Sequence, residues 1–232
     1  MVSIFWESKP LLECEVAMPV EHSDFTNLQV FEHPLIHDKI TRARNVDTPP
    51  SQFRRLLNEI AGLMTYDVCR ELKTSETTVQ TPMGATAGRI LSEPLTLVPI
   101  LRAGIGMTDG ILALLPEAKV GHVGLYRDEE TLDPIEYYAK FPPDMAEGIV
   151  LLIDPMLATG GSASAAATLL KERGCRRIRL ICLVSAPEGV KRMADDHPDV
   201  LVYSACLDES LNANGYIIPG LGDAGDRLFG TQ

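Results

Sequence analysis

The chain has no long apolar run. In 232 residues no stretch approaches the roughly 18 uninterrupted apolar residues of a membrane-spanning helix. Its first residues, with Glu7, Glu13 and Glu15, lack the charged-then-apolar design of a secretory leader, so the expected location is the cytoplasm. Positive charge is scarce: 21 Lys and Arg stand against 32 Asp and Glu, a formal net charge of −11. That balance argues against nucleic acid or an anionic membrane as partner. It also confines any site for a phosphorylated substrate to a local basic spot. The five cysteines, Cys14, Cys69, Cys175, Cys182 and Cys206, are odd in number, scattered and without a C-x-x-C pair. They read as reduced core thiols rather than a disulfide framework. Metal ligands are equally sparse. His33 and His37 have helical spacing, but Pro34 lies between them and no third ligand is evident. Internal repeats and low-complexity runs are absent.

What is present concentrates in residues 149–162, Ile-Val-Leu-Leu-Ile-Asp-Pro-Met-Leu-Ala-Thr-Gly-Gly-Ser. Ile149 to Ile153 read as a strand buried on both faces. Asp154 ends that run, and a small-residue helix is expected from Ser162. A strand, a tight turn and a helix N-terminus in succession cup a phosphate. First-turn N–H groups have no intrahelical partner, and the helix dipole adds partial positive charge. Gly160 and Gly161 let the backbone approach an anion, while Thr159 and Ser162 add hydroxyls. The stretch has no lysine, as a Walker loop requires, and no G-x-G-x-x-G, as a dinucleotide fingerprint requires. A plain strand-to-helix connection is the alternative to a phosphate cup.

The rest of the chain frames this stretch. Residues 1–28 read as an extension of unknown role, with a short edge strand within Leu11 to Val20. Residues 48–72 are the clearest helix: Thr48 is the expected N-cap, Pro49 the first helical residue, and Phe53, Leu56, Leu57, Ile60, Leu63 and Met64 one apolar face. Residues 74–92 suggest a hairpin turning at Met83-Gly84-Ala85. A buried strand over 95–101 contains Pro99, which marks where its pairing ends, and a helix follows to about Leu115. Gly104, Gly106 and Gly110 in that helix imply close packing or close approach to a ligand. Arg102 sits at the carboxyl end of its strand as Asp154 does on its own, which suggests an anion contact. A third strand is expected over Val120 to Tyr126, then an extended arm over 127–147. Residues 95–205 alternate strand and helix with short connections. This implies an α/β fold with a mainly parallel twisted sheet, right-handed crossovers and helices on both faces. The glycine-rich tail, 208–232, reads as a loop with little regular structure, whose Gly222-Asp223-Ala224-Gly225-Asp226 segment is either a structural turn or a second ligand loop.

Four segments together resemble one family. Ile-Asp-Pro-Met-Leu-Ala-Thr-Gly-Gly-Ser (153–162) resembles the phosphoribosyl-diphosphate loop of uracil phosphoribosyltransferases. Val-Pro-Ile-Leu-Arg-Ala-Gly (98–104), Tyr-Arg-Asp-Glu-Glu-Thr-Leu (126–132) and Gly-Tyr-Ile-Ile-Pro-Gly-Leu-Gly-Asp-Ala-Gly-Asp (215–226) match the same family in the same order. Leu183 to Val190 looks familial too. Pro155 stands where the wider superfamily carries a second acid, which favours the uracil branch over the purine and orotate enzymes.

The resemblance implies a type I phosphoribosyltransferase domain over 29–232, with the C-terminal region as a small hood. It implies the reaction of uracil with 5-phosphoribosyl 1-diphosphate to UMP and diphosphate. By analogy, Arg102, Asp154 and Asp223 carry the chemistry. The donor is held by Arg102, Arg127, Asp223 and the run Asp154, Pro155, Met156, Leu157, Ala158, Thr159, Gly160, Gly161 and Ser162. Uracil is held by Tyr216, Ile217, Gly222, Asp223 and Ala224. Mg²⁺ is implied mainly through substrate and water rather than a protein cage. The resemblance also allows GTP as an allosteric activator and a homo-oligomer, dimer or higher. The competing readings are a non-catalytic nucleotide-sensing regulator of the same fold and an enzyme for another base.

Overall fold

The computed structural model describes residues 20–22, 24–127 and 134–231, with backbone alone at 20–22, 127 and 134. The expected edge strand before Val20 and the charge run 128–130 therefore lie outside the described residues.

In chain order the elements are β1 (Val20–His22), β2 (Phe25–Val30), α1 (Pro34–Arg44), α2 (Pro50–Val68), β3 (Thr74–Thr81), β4 (Gly84–Leu91), β5 (Leu95–Leu101), α3 (Ile105–Leu112), β6 (Lys119–Val120), β7 (His122–Arg127) and β8 (Pro134–Lys140). A 3-10 turn (Met145–Glu147) leads to β9 (Ile149–Ile153), β10 (Met156–Leu157), α4 (Gly161–Glu172), β11 (Ile178–Ser185), α5 (Pro187–Asp196), β12 (Leu201–Leu207), β13 (Ser210–Leu211), β14 (Ile217–Ile218) and α6 (Ala224–Phe229).

The main sheet runs β1-β2-β12-β11-β9-β5-β7-β8, with β10 beside β11 and β6 beside β5. From β2 to β7 every pair is parallel, and only the outer strands β1 and β8 run antiparallel. Because strand side chains alternate, β9 feeds two cores. Ile149, Leu151 and Ile153 join α1, α2, α3 and α6 on one face. Val150 and Leu152 join α4 and α5 on the other. All five are at most 1% exposed.

Helix α2 shows why these segments fold as they do. Phe53, Leu57, Ile60 and Met64 recur at helical spacing and are all fully buried, each contributing about 1.5–3 kcal/mol. Its boundaries differ from expectation. Pro49 is the cap residue and makes no side-chain cap bond. Thr48 instead donates its hydroxyl to Arg42 O at 2.7 Å, tying down the end of α1. His33 accepts from Leu35 N at 3.2 Å as the N-cap of α1, with Pro34 opening the helix.

Four further expectations change. The strand over Val120 to Tyr126 is two, β6 and β7. The expected arm contains β8, an edge strand paired antiparallel to β7, because Ile135, Glu136 and Tyr138 find partners in Tyr126, Leu125 and Gly124 along that strand's free edge. Strand β2 begins within the stretch read as an extension and runs two residues past it, yet it pairs with β12, and Leu28 is fully buried. The tail is not an irregular loop: it holds the β13–β14 hairpin and α6, whose Leu228 is fully buried. Its glycines sit at turns between these short elements, which is why composition alone reads as loop. Of the glycines in α3, Gly110 marks close packing: a Cβ there would lie 2.0 Å from Asn58 O of α2.

Candidate active site

The carboxyl ends of β5, β7, β9 and β11 lie side by side, where open parallel sheets place ligands. The pairing of β5 with β9 runs as far as Pro99 opposite Ile153; β9 then turns away, while β5 runs on beside β7 to Leu101 before it turns. One turn carries Arg102 and the other carries Asp154. The two turns touch: a Cβ at Gly104 would lie 2.4 Å from Ile153 O.

The cup is built almost wholly from backbone. Asp154 N donates to Ile181 O at 3.1 Å, and Pro155 O accepts from Leu183 N and Val184 N, each at 3.1 Å. Met156 and Leu157 then pair with β11 as β10. Gly160 takes φ +78° as the cap of α4, so the helix starts at Gly161, one residue before expectation. Thr159 Oγ1 accepts from Gly161 N at 3.4 Å. Asp154, Met156, Leu157, Ala158, Thr159, Gly160, Gly161, Ser162 and Ala163 line a cavity of about 60 Å³ at this helix N-terminus. Beneath it lies α5, so close that a Cβ at Gly189 would stand 2.4 Å from Ala158 O.

Asp154 is the electrostatically unusual member. Burial pushes its pKa up to about 7. A hydrogen bond from Met156 N (3.5 Å) works against that rise, and the negative charge of Asp223 adds to it. Asp154 and Asp223, far apart in sequence, therefore sense each other across the site.

Asp223 is the N-cap of α6 and accepts from Asp226 N at 2.9 Å. Arg102 reaches the same helix start, with Nη2 3.5 Å from Asp226 Oδ1. This pair is loose and its arginine side chain is 59% exposed, so the guanidinium is available to an anion. Arg127 ends β7, the neighbour of β5; its side chain lies outside the described residues.

The expected uracil residues lie on the adjoining hood. Ile217 is buried in β14, Gly222 takes φ +75°, and Ala224 opens α6. Tyr216 is half-exposed, and its N–H donates to Asn212 Oδ1 at 2.9 Å. Three residues hold these parts, and two of them, Arg227 and Arg44, carried no motif signal. Glu188 Oε1, at the start of α5, accepts from Leu211 N at 3.1 Å and so joins cup to hood. Arg227 stacks 4.2 Å over the Phe53 ring and donates to Ala43 O (2.6 Å), Leu221 O (2.8 Å) and Asn45 O (2.7 Å). Arg44 pairs with Asp208 at the hood's base. Among the described residues no group of three or more His, Cys, Asp or Glu could hold a metal ion.

A family model described as uracil phosphoribosyltransferase matches residues 30–231. A uracil phosphoribosyltransferase of Finegoldia magna is 56% identical over 208 residues, covering 89% of this chain and 100% of that protein. One of Streptococcus salivarius is 58% identical over 205 residues, covering 88% and 98%. The solved structure of the AQ2163 protein from Aquifex aeolicus superposes with a TM-score of 0.84 at 38% identity, covering 87% of this chain and 97% of its own. With the family model spanning both the cup and the hood, the chain belongs to the uracil phosphoribosyltransferase family.

Proposed function

We propose that the chain transfers a 5-phosphoribosyl group from its 1-diphosphate to uracil, giving UMP and diphosphate, with the cup as donor site and the hood as acceptor site. The observation that carries this division is the meeting of Asp154, Arg102 and Asp223, from three distant segments, beside a helix N-terminus.

The chemistry follows from where charge develops. Breaking the C1–O bond builds positive charge on the ribose ring and negative charge on the departing diphosphate. The Ala158–Ser162 backbone, with the hydroxyls of Thr159 and Ser162, holds the 5′-phosphate. Asp154 accepts from the ribose hydroxyls and, ionised, opposes the positive ring. Arg102, with Arg127, takes the diphosphate. Uracil N1 forms the new bond to C1 as the C1–O bond breaks, the bonding pair leaving with the diphosphate, and the N1 proton passes to the released diphosphate or to water. No protein nucleophile is needed; alignment and electrostatics supply the rate.

Uracil is recognised at its edges. Backbone groups of Ile217, Gly222 and Ala224 meet its two carbonyls and the N3–H, leaving N1 toward the donor, while Tyr216 walls the ring. Cytosine reverses one donor–acceptor pair and leaves a buried group unmatched, at about 1–3 kcal/mol. The carboxylates of Asp223 and Asp226 are hard oxygen donors that fit Mg²⁺ shared with substrate and water. When bound, the ion neutralises diphosphate oxygens.

Assembly into a homo-oligomer is the further part of this reading. It is supported by the β3–β4 hairpin, whose tip residue Met83 is 96% exposed. Activation by GTP is carried with it, and sedimentation with and without GTP tests both. Among the described residues no helix is long and apolar enough to cross a membrane.

The main test is UMP formation from uracil, donor and Mg²⁺. Turnover with another base and none with uracil would overturn the acceptor assignment. Asp223→Asn retains a capping oxygen for α6 and removes the charge, and turnover should fall by about a hundredfold or more. Activity within about threefold of the parent would remove Asp223 from the site.

A further inference from the structure

We propose that Arg44 and Asp208 are positioning residues for the acceptor: their ion pair fixes the turn that carries the uracil-reading backbone. This rests on the assignment of uracil to Tyr216, Ile217, Gly222 and Ala224. Neither residue lies in a segment that carries the family resemblance.

Asp208 follows β12 and is 8% exposed. A carboxylate at that depth needs a full set of donors. Asp208 has one. Oδ1 accepts from Arg44 Nη2 at 2.5 Å, and Oδ2 accepts from Arg44 Nη1 at 2.8 Å and from Gly220 N at 2.8 Å. Arg44 Nη1 also donates to Gly220 O at 2.7 Å. One ion pair thus grips both the N–H and the carbonyl of a single residue. That residue is the pivot of the loop: Gly220 takes φ +61°, and a Cβ on it would lie 2.2 Å from Ile217 O. Ile217, Gly222 and Ala224 all lie within four positions of it.

The clamp is itself rooted. Asp208 N donates to Ser185 O at 2.8 Å, the end of the strand that pairs with the cup through β10. Arg44 closes the last turn of α1. Backbone readers discriminate only as well as their positions are fixed, so a clamp on their pivot governs affinity and selectivity without touching the base. Arginine is required by this geometry. Its planar fork spans two carboxylate oxygens and a carbonyl together, which a lysine ammonium cannot do.

The test is steady-state kinetics and donor calorimetry on the full chain, for Arg44→Lys, Asp208→Asn and Tyr216→Ala. The clamp variants should raise the uracil KM by about tenfold or more and narrow the preference for uracil over cytosine. Their affinity for 5-phosphoribosyl 1-diphosphate, titrated with Mg²⁺ and no uracil, should stay within about twofold. Arg44→Lys keeps the charge, and so carries the test alone if Asp208→Asn does not fold. Equal losses for donor and uracil would overturn the proposal, because they indicate a general loosening. Unchanged uracil kinetics in the clamp variants beside a damaged Tyr216→Ala would overturn the clamp alone. A raised uracil KM in the clamp variants beside a silent Tyr216→Ala would support the clamp and remove Tyr216 from the uracil site.

Discussion

The cup and the hood lie side by side but are held by different means. The cup is one continuous stretch, residues 154–163, whose first four residues are fixed by backbone hydrogen bonds to the adjoining strand β11. The hood spans residues 208–231 and is fixed by side chains from the other end of the chain. Arg44 reaches it across 164 and 176 positions, and Arg227 reaches back across 184. A backbone site fails when something intrudes on it, and a side-chain-tied site fails when a tie is cut. That difference sets what each variant should do.

The largest effect comes from intrusion under the cup. In Gly189→Val the new Cβ falls 2.4 Å from Ala158 O, so the loop must move. The kcat/KM for the donor should fall about a hundredfold, with a smaller rise in uracil KM, as steady-state kinetics would show. A loss under threefold would mean that the cup tolerates displacement, and the contrast with the hood would fail.

Cutting a hood tie comes next. Arg227→Met keeps a long apolar stem over Phe53 but drops the bonds to Ala43, Leu221 and Asn45. It should lower the unfolding free energy by about 2 kcal/mol in urea denaturation. Limited proteolysis should open the chain first within 208–231.

The pH behaviour of Asp154 sharpens the view of the cup. Its folded pKa of about 7 exceeds its ordinary value of 3.8, so the folded free protein holds that proton more tightly. This contribution to stability is fully present below about pH 4 and is lost as the pH rises through 7. Over that window the loss is at most about 1.4 kcal/mol for each pH step of one. In kcat/KM for the donor the same group gives an acid limb near pH 7, with activity rising as Asp154 ionises. Asp154→Asn should flatten both profiles. A profile unchanged in shape would assign the limb to another group.

The smallest effect is at the helix cap. Asp223→Ala should cost about 1 kcal/mol more stability than Asp223→Asn, because only asparagine still accepts from Asp226 N. Equal melting temperatures would show that the hood does not depend on that cap.

This contrast also explains what the sequence made legible. The cup could be read because strand, turn and helix start are consecutive, and Ile149 to Ile153 and Gly160 each carry a local signal. The parallel sheet followed from alternating segments, β9 falls on its expected ends, and α4 starts within a residue of its expected start. The hood was legible only through resemblance. Arg44 and Asp208 are ordinary charges in sequence, and their meaning appears only when 164 intervening residues fold. Strand β2 was hidden for a similar reason: Leu28 is buried by its distant partner β12, not by any pattern of its own. Short elements such as β13, β14 and α6 are too brief for periodicity to show, so turn residues dominated the reading of 208–232.

On the proposed assignment the two substrates are held by physically separate means. A cross-comparison of Arg102→Ala and Tyr216→Ala tests this, reading donor affinity by calorimetry and uracil KM by kinetics. Arg102→Ala should weaken the donor about tenfold or more and move uracil KM less than twofold, because the charge-assisted diphosphate contact proposed for it outweighs its loose 3.5 Å pair with Asp226. Tyr216→Ala should do the reverse. If both variants weaken both substrates in the same proportion, cup and hood act as one unit and the account is wrong.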